Sequence, residues 1–237
     1  MSYIQGFVCA VPSANRAAFI AHATQAAEAF RDHGYLRVVE CWGDDVPEGN
    51  VTSFRKAVLA RDDEVVVASW YVWPSKAAHD AVMQSPPDDP RLTPEGNPMP
   101  FDGKRVIFGG FEPLLELGTA QAGGYVDAFI APVPRAGRTG FTEFAKACDP
   151  IFMEHGAQWI IECWGSDLPE GTQTDFRRAV AARPEEDVLF SVVQWRDRAA
   201  RDAGNAQIMN DARLAEHEMP FDGQRLIFGG FVPVVER

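Results

Sequence analysis

The chain has few cysteines, few positive charges and no long apolar run. Its four cysteines among 237 residues are Cys9, Cys41, Cys148 and Cys163, and none sits in a CxxC or a Cys/His ligand spacing. That excludes a disulfide scaffold and a zinc module, and the four read as core thiols in a reducing compartment, with no metal expected. Lys and Arg number 22 against 34 Asp and Glu, a formal charge of −12. The electrostatic footprint that captures a phosphate backbone or an anionic membrane is missing, so neither nucleic acid nor a membrane is an expected partner. No stretch approaches the roughly 20 apolar residues of a membrane helix. The opening MSYIQGFVCAVPSANR lacks the pattern of a signal peptide, so the expected location is the cytoplasm. A Ser/His/Asp order, an activated cysteine and a glycine-rich nucleotide loop are absent too, and no cofactor is expected. What remains is an ordinary globular composition, 46% hydrophobic and 24% charged, of a length suited to two domains.

The chain is repeated. Residues 40–58, ECWGDDVPEGNVTSFRKAV, return at 162–180 as ECWGSDLPEGTQTDFRRAV with 13 of 19 positions identical. The block MPFDGKRVIFGGF from Met99 returns as MPFDGQRLIFGGF from Met219, with 11 of 13 identical. Each half carries a formal charge of −6. The expected organisation is copy one over residues 1–118, a small-residue linker over 119–124 and copy two over 125–237. Two copies of this size read as a fused dimer, not a solenoid.

Within copy one, Tyr3 to Val11 alternates as a strand ended by Pro12, with Ser13 placed as a helix N-cap. Ala14 to His33 has helical spacing and Gly34 supplies the stop. Strands follow at Leu36 to Trp42 and Val65 to Trp73, then a helix from Lys76 to Met83 capped by Ser75, then a strand from Arg105 to Phe111. The order βαββαβ, given twice, is the ferredoxin-like pattern, an α+β fold with both helices on one face of an antiparallel sheet. The uncovered faces of the two copies are expected to pack together or curl into one pseudo-dimeric α/β barrel. The GGF triplets at 109–111 and 229–231 lie inside a strand and mark close backbone approach. One segment breaks the symmetry: residues 84–100 hold six prolines, against one in the matching QIMNDARLAEHEMP. A loop and candidate lid is expected in copy one and a longer helix in copy two.

Strand alternation divides the side chains into two sets. The small apolar set, Ile4, Gly6, Val8 and Ala10 with Val39 and Cys41, suits packing under helices. The opposite set carries Glu40, Trp42, Trp73 and Arg105, repeated as Glu162, Trp164, Trp195 and Arg225, and is expected between the sheets. Buried charges there must pair or line a hydrated cavity. Topology suggests Glu40 with Arg225 and Glu162 with Arg105 across the seam. Weaker candidates are His33 and His155, each before a glycine at a helix C-terminus, where the helix dipole favours them. Asp44 and Asp45, in the loop after ECWG, are weaker still, since hard cations need more converging oxygens.

The strings ECWGDDVPEG, TSF, SWYVW, DPRL and MPFDGKRVIFGGF resemble the YbaA-like family of bacterial proteins (domain of unknown function 1428), in the dimeric α/β-barrel superfamily. The resemblance spans each copy almost end to end. Copy two departs from it with Ser166 for the first loop aspartate and Ala212 for Pro90. Members are usually single copies that would pair as homodimers, so this chain would be that dimer fused, monomeric or weakly self-associating. The resemblance implies a fold and no established activity. It leaves two function classes: a small-molecule-binding or stress-related protein, or a cofactor-free enzyme, monooxygenase- or isomerase-like, with its pocket in the barrel. Haem binding and a purely structural role are remoter. A pocket of roughly 300 Å³ or more holding a titratable pair with shifted pKa values would favour an enzyme.

Overall fold

A computed structural model describes residues 2–237. Copy one runs β1 (Tyr3–Pro12), α1 (Arg16–Asp32), β2 (Arg37–Asp45), α2 (Phe54–Ala57), β3 (Glu64–Trp73), α3 (Lys76–Gln84) and β4 (Ile107–Gly118). Copy two repeats this as β5 (Tyr125–Pro134), α4 (Arg138–Glu154), β6 (Ala157–Asp167), α5 (Phe176–Ala179), β7 (Glu186–Trp195), α6 (Arg198–Ile208) and β8 (Ile227–Glu236). The helix stops fall as expected, with Gly34 at φ +100° and Gly156 at φ +104° beyond the last turns of α1 and α4. Ser75 caps α3 by accepting the Ala78 N–H at 3.1 Å. Ser13 instead lies in a short 3₁₀ turn, and α1 starts without a side-chain cap.

The eight strands close into one barrel in the order β1-β3-β2-β8-β5-β7-β6-β4. Each copy contributes a four-stranded ferredoxin-like sheet whose edge strands, β2 and β4, pair with β8 and β6 of the other copy. Closure removes every exposed edge, which is why the copies join edge to edge instead of stacking as two sheets. The close approach at GGF is real: a Cβ on Gly110 would lie 1.8 Å from the Tyr3 hydroxyl, and one on Gly230 2.3 Å from that of Tyr125. The asymmetric segment follows its prolines in part. α6 is two residues longer than α3, and the proline-rich stretch is tied down by Asn97, whose amide donates to the His22 and Arg91 carbonyls at 3.0 Å.

The strand faces are inverted relative to the sequence expectation. Ile4, Val8, Ala10, Val39 and Cys41, with Val126, Ala128, Ile130, Ile161 and Cys163, form the barrel interior together with Trp70, Trp159, Phe111 and Phe176. The residues expected between the sheets, Trp42 and Trp73 with Trp164 and Trp195, lie outside the barrel, between sheet and helices. The reason is crowding. Large rings from both copies meet near the barrel axis, where Trp70 and Trp159 sit 6.2 Å apart and a Cβ on Gly6 would already touch Phe111 at 3.1 Å. The small β1 and β5 residues Gly6, Ala10 and Ala128 fit beside them, while the layer under the helices takes Tyr35, Tyr71, Trp73 and Trp195. The four cysteines are free and buried, with Cys41 and Cys163 inside the barrel and not under helices.

Candidate functional site

The expected cross-copy ion pairs do not form. β2 does pair with β8, but the register sets Glu40 opposite Val235 near the end of β8, whereas Arg225 precedes its start. Ten residues of extended chain place them roughly 30 Å apart. Arg105 and Arg225 each lie just before a strand and bind a carboxylate of their own copy. Arg105 grips Glu64 at 2.6 and 2.7 Å and Arg225 grips Glu186 at 2.7 Å twice. Each also donates to the carbonyl of a residue at positive φ, Leu59 at 2.9 Å and Ala181 at 3.0 Å, fixing a left-handed turn. The guanidinium hydrogen bonds hold both glutamates down at about 2. These are structural clamps.

The tryptophans are anchored by their own copies. Trp73 Nε1 donates to Gln5 at 3.2 Å and Trp195 Nε1 to Asp127 at 2.9 Å, while Arg16 and Arg138 lie over the rings of Trp42 and Trp164. Asp44 and Asp45 bind cations of a different kind from a metal. Asp44 accepts from Tyr125 and from Arg198 at 2.7 Å, and Asp45 from Arg201 at 2.8 Å, joining copy one to copy two. His33 and His155 follow the last turns of α1 and α4 and meet Asp89 and Asp211, each at 3.0 Å.

Of the expected site residues only Glu162 lines a half-open, largely apolar cavity of about 530 Å³. It lies in copy two between the sheet and α4, not in the barrel. Helical spacing on α4 brings Phe141, Phe144, Ala145, Cys148, Asp149 and Phe152 to its roof. The β-strands supply Phe129, Leu189, Ser191 and Val193 opposite, and exposed Ala215, His217 and Met219 form the rim. Glu162 accepts a hydrogen bond from the Ser191 hydroxyl. Asp149 is only 7% exposed, and its Oδ2 has no hydrogen-bond partner. Burial pushes the Asp149 carboxyl up to about 7, and burial together with the charge of Asp149 raises Glu162 well above the usual carboxylate range. The pair can therefore hold, share or release a proton near neutrality.

The same place in copy one is filled. Tyr35 and Tyr71 occupy the positions of Ala157 and Val193, and Ala27 stands where copy two has Asp149. Tyr71 donates to Glu40, which Ser69 also contacts, and the two tyrosine rings meet each other and Phe30 at 4.8 to 5.6 Å between centroids. Asp149 was not among the sequence candidates. Its signal was a carboxylate on the apolar stripe of a helix, at a position the other copy fills with alanine.

An antiparallel eight-stranded barrel made of two ferredoxin-like halves defines the class: a dimeric α/β-barrel protein with both protomers on one chain. The chain belongs to the family described as "Protein of unknown function (DUF1428)", whose profile matches residues 2–103 and again 124–223. It is 50% identical over 116 residues to Uncharacterized protein YbaA of Escherichia coli K12, an alignment covering 49% of this chain and 99% of that protein. Among solved structures, a provisionally assigned monooxygenase from Fusobacterium nucleatum superposes with a TM-score of 0.62 at 10% identity, covering 99% of this chain and 93% of that one. Another from Lactobacillus acidophilus gives 0.58 at 14% identity, covering 99% and 95%. These two likenesses carry the fold. Among the described residues no helix is long and apolar enough to cross a membrane.

Proposed function

We propose that the chain binds a hydrophobic small molecule in copy two, in the pocket between α4 and the sheet, while copy one serves as a filled, structural counterpart. The observation that carries this reading is the cavity of about 530 Å³, within the size range of ligand sites, with an unpartnered buried carboxyl in its wall. Val193, in its wall, stands where copy one has Tyr71, and nearby Ala157 stands where copy one has Tyr35. The units of the duplication are residues 1–118 and 125–237. A negative formal charge and the closed barrel fit a cytoplasmic, monomeric or weakly self-associating chain with no nucleic-acid or membrane partner.

A second reading, a cofactor-free enzyme, is favoured by one observation: Asp149 is poised near neutrality beside a second carboxyl, as general acid–base chemistry requires. The names of the Fusobacterium and Lactobacillus neighbours suggest oxidation, but the pocket itself supports proton transfer. Native mass spectrometry of the protein purified from its source tests the main reading. The expected result is a retained small molecule that is lost from the Ala157→Tyr/Val193→Tyr variant. Equal retention by that variant would overturn it, and conversion of the captured molecule by wild type but not Asp149→Asn would establish the second reading.

A further inference from the structure

The pocket is not merely apolar. Three carboxylic residues, Asp149, Glu162 and Asp211, line it, and among the described residues that line it none is lysine or arginine. Its aromatic wall is a triangle: Phe141, Phe144 and Phe221 stand 6.2 to 6.4 Å apart between centroids. Phenylalanine faces carry partial negative charge and attract cations. The Asp149 Oδ2 atom, buried without a partner, lacks a donor. Two carboxyls repel an anionic ligand. A hard metal ion would need about six or more oxygens, and among the described residues no group of three or more His, Cys, Asp or Glu is placed to hold one.

We infer that the pocket takes a hydrophobic organic cation, an ammonium carried on an apolar or aromatic body, with the charged head between Asp149 and Glu162 and the body among the phenylalanines. The inference rests on the pocket reading above and names its ligand class. Binding is coupled to a proton. The ammonium keeps its own protons, the carboxyl pair ionises to meet it, and the carboxyl proton leaves to solvent. The groups near Asp149 are Cys148 on its own helix, Glu162 from β6, and Asp211 and His217 from the segment after α6. Asp211 is already engaged by His155 and Arg213, and His217 lies at the exposed rim, which leaves the carboxyl pair as the responsive element.

Isothermal titration of the full chain with 1-naphthylmethylamine, protonated throughout pH 6 to 8, and with neutral 1-naphthylmethanol tests this. The amine should bind more tightly, and its affinity should rise about tenfold per pH unit for each proton released below the pKa of the pair. Buffers of different ionisation heat should report that release. Asp149→Asn and Asp149→Ala should each weaken the amine about tenfold or more at pH 8, the loss of one charge-assisted contact, and leave the alcohol nearly unchanged. The alanine variant copies the residue that copy one carries at Ala27. An alcohol that binds as tightly as the amine, or an amine affinity that does not rise with pH, would overturn the cation assignment and leave the pocket standing. If neither probe binds, and wild type behaves as the Ala157→Tyr/Val193→Tyr variant does, the pocket reading falls with it.

Discussion

The two halves share a backbone plan and differ in what fills the layer beneath the long helix. Under α1 the space holds Tyr35, Tyr71 and Phe30, with Glu40 satisfied by a tyrosine and a serine hydroxyl. Under α4 the tyrosines have become Ala157 and Val193, Ala27 has become Asp149, and a cavity stands open beside Glu162. Above the filled site Asn97 clasps the proline-rich segment to α1; its counterpart His217 is exposed at the cavity rim. A duplicated dimer frees each half from serving both roles. One copy is packed solid beneath its long helix, and the other has volume and an unpaired acid in the same place.

The difference can be probed by exchanging the residues that make it. Tyr35→Ala in copy one should cost about 3 to 5 kcal/mol, as for other large aromatic truncations, because the buried ring packs at a 41° tilt against Trp73, with centroids 3.7 Å apart. In copy two Val193→Tyr should cost about 1 kcal/mol or less, since the cavity it lines receives the ring. Urea unfolding of both variants checks the asymmetry, and equal costs would break it. The arginine clamps are the control, being the same in both halves. Arg105→Ala and Arg225→Ala each strand a buried glutamate and should lose about 3 to 5 kcal/mol alike.

The pH dependence separates shared from unshared groups. Glu64 and Glu186 lie at about 2 when folded, below their usual 4.5, so their stabilisation is full above the unfolded pKa and disappears as pH falls from there toward 2. Asp149 runs the other way. Its folded pKa of about 7 lies above the usual 3.8, so the folded state is progressively destabilised as pH rises through that window. Asp149→Asn should therefore match wild type near pH 4 and exceed it at pH 8 by about 2 kcal/mol, less than the full linkage because the cavity admits water. Thermal unfolding across that range measures it. The smallest effect belongs to the seam: Arg198→Ala removes a partly exposed pair with Asp44 and should cost about 1 kcal/mol or less.

The duplication, the strand order and the helix stops were legible in the sequence because they depend on local periodicity and on glycines such as Gly34 that no side chain can replace cheaply. The faces were not. Alternation along β1 separates Ile4 and Val8 from Gln5 and Phe7, but which set lies inward depends on how closely rings from the distant copy crowd the axis. Glu162 was found because it was retained in both copies. Asp149 was not legible this way, because identity between the copies marks what both share, and the pocket wall holds residues in which they differ: Asp149 against Ala27 and Val193 against Tyr71.

The central claim, one open site per chain and that in copy two, is tested most directly by binding stoichiometry. Fluorescence titration with N-phenyl-1-naphthylamine, an apolar aromatic probe, should give one site in wild type and none in the Ala157→Tyr/Val193→Tyr variant. Two sites per chain, or one that survives both tyrosines, would contradict it.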